Sequence, residues 1–218
     1  MPSFDVRPAS TAKNDGPRLL RNFDSQLAWL AAKGSSEQWG TTPRTNPETL
    51  AKYGKKVENS EAGMSQPWTK DSTRAWVVET TVPRGQLDAS AVEILDEDAV
   101  EDEDGMVQLA VAAVVIEGKA IDYVNSVLPE QDEKDPFVYI HYVLTDRRAG
   151  ELSRGAGSFA LRYAVDRARD LGFKRVCLDC WSGNGGRLIQ YYEKQGFSRV
   201  GDFGADQGWP GTVMEMRL

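Results

Sequence analysis

Residues 137–181 read FVYIHYVLTDRRAGELSRGAGSFALRYAVDRARDLGFKRVCLDCW. The first nine are β-branched, aromatic or aliphatic, which predicts a strand over Phe137 to Thr145. From Ser158 to Leu171, the residues Leu161, Ala164, Val165, Ala168 and Leu171 share one helical face while Arg162, Asp166, Arg169 and Asp170 lie elsewhere. Gly172 stops that helix, and Lys174 to Trp181 returns to strand composition. Strand, glycine loop, helix, strand is the order of a βαβ crossover, so the strands at 137–145 and 174–181 are expected to be parallel. The loop between strand and helix, Glu151 to Ser158, leads into a helix N-terminus, where unpaired N–H groups and the helix dipole favour an anion. Glycines there let the backbone approach a phosphate, and Arg154, with Arg147 and Arg148 nearby, adds positive charge suited to bidentate phosphate contacts. Alanine at position 160 breaks the dinucleotide pattern G-x-G-x-x-G.

Working outward, Leu20, Phe23, Leu27, Leu30 and Ala31 repeat at helical spacing over residues 18–33, with Gly34 placed to end the helix in a left-handed conformation. A second helix is expected after Asn46 as N-cap with Pro47 in its first turn. Arg74 to Val82 and Met106 to Glu117 read as antiparallel strands. Between them the acidic run 96–104 is too charged to pack and reads as a solvated loop. The segment 132–136 is a turn, Arg187 to Gln195 a short helix stopped by Gly196, and 197–200 and 212–217 two further strands. The pattern is that of an α/β domain with a mixed sheet, spanning 1–218 as one unit.

The chain has 26 Lys plus Arg against 33 Asp plus Glu, a net charge of -7, which argues against binding nucleic acid through its phosphates. No apolar stretch reaches the length that spans a bilayer and the N-terminus lacks a signal pattern, so no membrane contact and a cytoplasmic location are expected. Cys177 and Cys180 form a C-x-x-C, but three residues apart on a strand they point to opposite faces. With one His and no further Cys, no metal site is expected.

The stretch LDCWSGNGGRLIQYYEKQGF, residues 178–197, resembles the last conserved block of GNAT acetyltransferases. RGAGSFAL, residues 154–161, is similar to their pyrophosphate loop, and YIHYVLTDR to their central strand. The resemblance covers residues 137–217 well, and the N-terminal half in its order of elements, a strand, two helices and a hairpin. Two departures stand out: the loop after Arg148 is about two residues longer than in the family, with Leu152 where Gln or Arg is common, and Asn184 stands one residue further from Tyr192. The resemblance implies the GNAT fold, a mixed, mostly antiparallel sheet with a central splayed parallel strand pair flanked by helices. It also implies acetyl-CoA as co-substrate without a metal, a core for it at about 137–200, and acceptor-side helices at about 17–62.

Carried over by motif position, the backbone of Val143, Leu144 and Thr145 would hold the pantetheine arm, with the Val143 N–H polarising the thioester carbonyl. Arg148 and the loop Arg154, Gly155, Ala156, Gly157 and Ser158 would take the pyrophosphate, with Asn184 beside the cofactor. Tyr192 matches the residue that protonates the departing thiolate; its alternative is core packing with Leu188 and Tyr191. His141, two residues before Val143 and by strand alternation on the same face, is a candidate general base or a hydrogen-bonded core residue. Glu79 is a rival base on the substrate side, and Trp39 is either an acceptor-pocket wall or a cover for the core. The function so implied is transfer of acetyl to a primary amine of a small molecule by direct attack. The alternative is a non-catalytic acyl-CoA-binding sensor or interaction module with the same fold. A homodimer stays open, as does the acceptor's identity.

Overall fold

The apolar repeat of the N-terminal third folds as two helices, α1 (Asp15–Ala32) and α2 (Pro47–Gly63), in the computed structural model, which describes residues 3–87, 89–92, 102–128, 132–205 and 209–218. Helix α1 starts three residues before Arg18, and Leu19 rather than Ala31 completes its buried face with Leu20, Phe23, Leu27 and Leu30. The side chain of Asn46 caps α2 by accepting from the Thr49 amide, as its position before Pro47 predicts. Glycine at position 54 does not end α2, which continues to Gly63. It faces α1 so closely that a Cβ on Gly16 would stand 2.7 Å from the Gly54 Cα.

The strands are β1 (Asp5–Pro8), β2 (Thr73–Pro83), β3 (Met106–Glu117), β4 (Val138–Thr145), β5 (Arg175–Trp181), β6 (Ser198–Ala205) and β7 (Trp209–Arg217). One turn of helix, α3 (Ala89–Val92), follows β2; α4 (Ala156–Asp170) joins β4 to β5, and α5 (Gly183–Lys194) joins β5 to β6. All seven strands form one sheet in the order β1-β2-β3-β4-β5-β7-β6, antiparallel except for the β4–β5 pair. The βαβ unit is therefore parallel at the centre of the sheet, as the sequence predicts. The acidic run 96–104 lies outside the described residues as far as 101; the Asp102 side chain then accepts from the amides of Asp104 and Met106 at the entry to β3.

Strand alternation sorts the core. Val114, Ile116, Ile140, Val176 and Leu178 bury against Leu161, Ala164 and Ala168 of α4 and Ile189 of α5. On the opposite face Ala75, Val77, Ala113, Val115 and Leu144 meet Leu20, Phe23 and Val57 of α1 and α2. Cys180 belongs to the first cluster and Cys177 to another, with Tyr139, Phe137 and Val213, so the two free thiols are separated by the sheet. Burial pushes both thiols up to about 12, out of the range of redox chemistry at neutral pH. A buried ion network ties β1 to α1 and β2: Asp15 pairs with Arg7 at 2.5 Å and Arg18 at 2.7 Å, and Arg7 reaches Glu79 at 2.6 Å.

The two helix glycines make opposite predictions. A Cβ on Gly54 meets nothing within 4 Å, so Gly54→Ala should stabilise α2 by about 0.5–1 kcal/mol through helix propensity. Gly16→Ala forces α1 off α2 and should destabilise the protein by about 1–3 kcal/mol. Urea denaturation of the two variants checks both signs; a stabilised Gly16→Ala would show that the helices separate freely.

Candidate active site

Strands β4 and β5 pair over three positions only, Val138 with Val176, Tyr139 with Cys177 and Ile140 with Leu178. Beyond them each strand keeps its other neighbour, β4 staying on β3 as far as Thr145 and β5 on β7 as far as Trp181. The two halves of the sheet diverge there, and a cavity of about 1110 Å³ opens between them. Val143, Leu144 and Thr145 of β4 line it, with Asp179, Cys180 and Trp181 of β5 opposite.

At the far end of β4 the chain turns into α4, which begins at Ala156, two residues before the Ser158 that the apolar pattern marks. Gly155 is its N-cap at φ 88°, a left-handed conformation that favours glycine, and no side chain caps the helix. The amides of Ala156, Gly157 and Ser158 therefore keep their hydrogen atoms for an outside acceptor. A Cβ on Gly157 would stand 2.8 Å from Thr145 Oγ1, so the loop closes on β4 only with glycine there. Of the loop residues 154–158, Gly157 reaches the cavity wall. The side chain of Arg154 is 77% exposed and pairs with Glu151. Arg148 does not face the cavity: its guanidinium is forked onto the buried Asp146 at 2.9 and 2.5 Å. The arginine that does line the cavity is Arg147, held by Gln26 at 2.9 Å and stacked on Trp29 at 3.9 Å. Burial lowers its pKa, and among the described residues no carboxylate pairs with it.

His141 also lines the cavity, but not on the face that strand alternation assigns it. A β-bulge sets Tyr142 opposite Val115 and Ile140 opposite Ile116, leaving His141 as an extra residue on β4. His141 and Tyr142 consequently both turn towards α2, while Val143 packs with the α4 side. His141 Nδ1 lies 2.6 Å from Glu117, whose other oxygen accepts from Lys56 of α2 at 2.5 Å. A carboxylate only accepts, so Nδ1 carries a proton in either form of the ring, and in the neutral form the lone pair is on Nε2. Burial would raise the Glu117 pKa, but the hydrogen bond and charge of His141 and the charge of Lys56 outweigh it and hold it at about 2. Glu79, the rival candidate, is not part of the cavity wall: it sits on β2 beside β1 with its carboxylate on Arg7.

Tyr192 lines the opposite wall from α5, packed edge-on against Phe197 at 5.8 Å and Tyr191 at 5.2 Å. Burial raises its pKa well above the ordinary phenol value, so it holds its proton. Asn184, at φ 50°, opens a run of three left-handed residues with Gly185 and Gly186, and the regular helix follows. Its amide donates to the Lys33 carbonyl at 3.1 Å and to Ser35 Oγ at 2.6 Å, bonding the start of α5 to the end of α1 across the cavity. Trp39, in the same loop, stacks on Phe23 at 4.4 Å and forms part of the cavity wall, so it covers core and faces the cavity at once. The buried indole N–H of Trp181 has no hydrogen-bond partner, which leaves a donor at the wall without an acceptor. Among the described residues no group of His, Cys, Asp and Glu is placed to hold a metal, and no helix is long and apolar enough to cross a membrane.

A divergent parallel pair, an uncapped glycine-rich helix start at its mouth and a buried tyrosine on the following helix coincide with a match of residues 70–197 to the model of the acetyltransferase (GNAT) family. The chain belongs to the GNAT acetyltransferase family. This acetyltransferase matches no curated protein by sequence, while its fold is shared by many solved structures. A GNAT-family acetyltransferase from Listeria monocytogenes aligns with a TM-score of 0.59 and 18% identity, over 99% of this chain and 95% of that one. Ribosomal-protein-alanine N-acetyltransferase from Brucella melitensis aligns at 0.55 and 16%, over 98% and 99%. YncA of Salmonella typhimurium, solved with its cofactor acetyl-CoA, aligns at 0.52 and 15%, over 99% and 94%.

Several residues at or behind the cavity wall of the acetyltransferase escaped the reading of its motifs. Asp179 stands within the C-x-x-C, and Glu117 ends a strand that otherwise reads as core. Tyr123 comes from the short turn Asp122–Val124, and its hydroxyl donates to Asp179 at 3.1 Å. Each comes from a separate segment, and only the pairing register brings them together.

Because Glu117 titrates at about 2 in the folded chain against an ordinary 4.5, its ionised form favours folding above about pH 4.5. That stability is lost as the pH falls from 4.5 towards 2. Glu117→Gln should lower the melting temperature at pH 7 and flatten its decline between pH 4.5 and 2, the increment being on the order of 3 kcal/mol. Thermal melts across that range check it; parallel declines in the two proteins would place the acid-sensitive group elsewhere.

Proposed function

We propose that this acetyltransferase moves the acetyl group of acetyl-CoA directly onto a primary amine of a small molecule, without a metal. The observation that carries the reading is that a phenol locked in its protonated form and a carboxylate-bound imidazole meet one cavity along the open edge of β4. The residues fit acetyl-CoA: the first-turn amides of α4 and the cavity-lining cation of Arg147 suit its phosphates, and Gly157 lets the loop close on Thr145 of β4. The unpaired edge of β4 from Val143 to Thr145 suits the pantetheine amides, which would add to the sheet as a strand does.

His141 takes the proton of the ammonium on Nε2, so that the neutral amine attacks the thioester carbon. The Val143 N–H supports the negative charge that develops on the carbonyl oxygen. Tyr192 gives its proton to sulfur as the carbon–sulfur bond breaks and the amide bond forms, releasing free thiol, and the second proton lost by the amine nitrogen restores the Tyr192 phenol. Glu117 and Lys56 act through His141, fixing its ring and tautomer. The same geometry in a protein without turnover would be an acyl-CoA sensor, the alternative that the test must separate.

Thiol release from acetyl-CoA, measured over a panel of primary amines, is the direct test. Tyr192→Phe should lower kcat by about 10- to 100-fold, since a thiolate leaves well even unprotonated, while leaving the KM for acetyl-CoA within about twofold. An unchanged kcat would assign Tyr192 to core packing with Phe197. Binding of acetyl-CoA seen as a thermal shift, with no amine stimulating thiol release, would make the chain a sensor.

A further inference from the structure

Among the described residues, several buried carboxylates are matched by cations. Asp15 and Glu79 sit on arginines, Asp146 on Arg148, and Glu117 on Lys56 and His141. Asp179 projects into the cavity from the diverged end of β5 and is bonded to two neutral phenols, Tyr123 and Tyr139. Among the described residues no Lys or Arg lies within ion-pair distance of it. An ionised carboxylate in such a place is stable only with a positive partner, and burial accordingly raises its pKa against the pull of the two hydroxyls. The surroundings suit a cation with an apolar body. Tyr139 lies edge-on to His141 at 6.4 Å, Tyr142 follows at 4.2 Å, and Tyr123 stacks against Phe203 at 5.5 Å beside Trp209. Trp209 in turn bonds the acceptor-side loop, its indole N–H donating to the Gln38 carbonyl at 2.7 Å. Aromatic faces around a carboxylate attract an ammonium by both charge and ring quadrupole.

We infer that Asp179 is the specificity-determining residue of the acceptor site, and that the acceptor is a primary ammonium on an aromatic or apolar body with no carboxylate on the adjacent carbon. The inference rests on acetyl transfer as the activity. Asp179 and His141 face the same side of the sheet, on opposite sides of the strand gap, so an ammonium docked on the first stands within the field of the second. A carboxylate next to the amine would be driven against Asp179 and disfavoured.

Two matched probes, phenethylamine and phenylalanine, test it in the native protein, and Asp179→Asn tests the residue while keeping its shape, with an oxygen to accept from one tyrosine hydroxyl and an NH2 to donate to the other. Native kcat/KM should favour phenethylamine by about 10-fold or more. Asp179→Asn should raise the KM for phenethylamine by about 30-fold or more, with the KM for acetyl-CoA within about twofold. Equal or better use of phenylalanine overturns the inference, and does so without any variant having to fold. An unchanged KM in Asp179→Asn overturns it as well. If no amine releases thiol although acetyl-CoA binds, the transfer reading fails by itself. The inference is then decided by whether phenethylamine raises the melting temperature of the native protein and not of Asp179→Asn, and no shift in either overturns it.

Discussion

The divergence of β4 and β5 after Ile140 and Leu178 is the constraint on which the rest of the molecule depends. Two parallel strands in register satisfy each other's amides, and parting them exposes a row of backbone donors and acceptors in the middle of a sheet. Such an opening survives because both strands stay anchored on their outer sides, β4 to β3 and β5 to β7. The bulge at His141 sharpens the local twist on one side of the gap. The bond from Asn184 to the end of α1 spans it on the other. The cavity, the free edge that faces it and the side chains around it all follow from this one interrupted pairing.

Electrostatics divides the cavity into two ends with different preferences. Around α4 the fixed charges are backbone dipoles and Arg147, and most nearby carboxylates are already occupied by other arginines. At the other end the balance reverses, with Asp179 bonded to two phenols and Glu117 held ionised behind His141. Groups that suit an anion and groups that suit a cation thus stand at separate ends of one cavity.

Much of this was legible in the sequence because it rests on local rules. The 3.6-residue repeat of α4, Gly155 at a left-handed cap, Asn46 before Pro47 and the β-branched run of β4 each announce their element without reference to the rest of the chain. Tyr192 and the Val143 edge were found through the motif, and both line the cavity. What failed were inferences that needed register. Alternation put His141 on the wrong face because a bulge inserts one residue, and no composition signal marks a bulge. Glu79 was the strand carboxylate singled out, and Glu117 was not, because only pairing sets the first beside β1 and the second beside His141. Arg148 offered a charge to a phosphate that Asp146, two residues earlier, had already claimed. Asp179 carried no pattern, since what distinguishes it is the lack of a cation nearby.

The contact of Gly16 with Gly54 has a meaning for the history of such a protein. Backbone lies against backbone there, so the segment between residues 33 and 46 is carried by two helices that meet with no side chain between them at that point. That segment is also tied to the far side of the gap, Ser35 accepting from Asn184 and the Gln38 carbonyl from Trp209, so a change within it is felt at α5 and β7. The two walls of the cavity are therefore bound to change together in descendants of this chain.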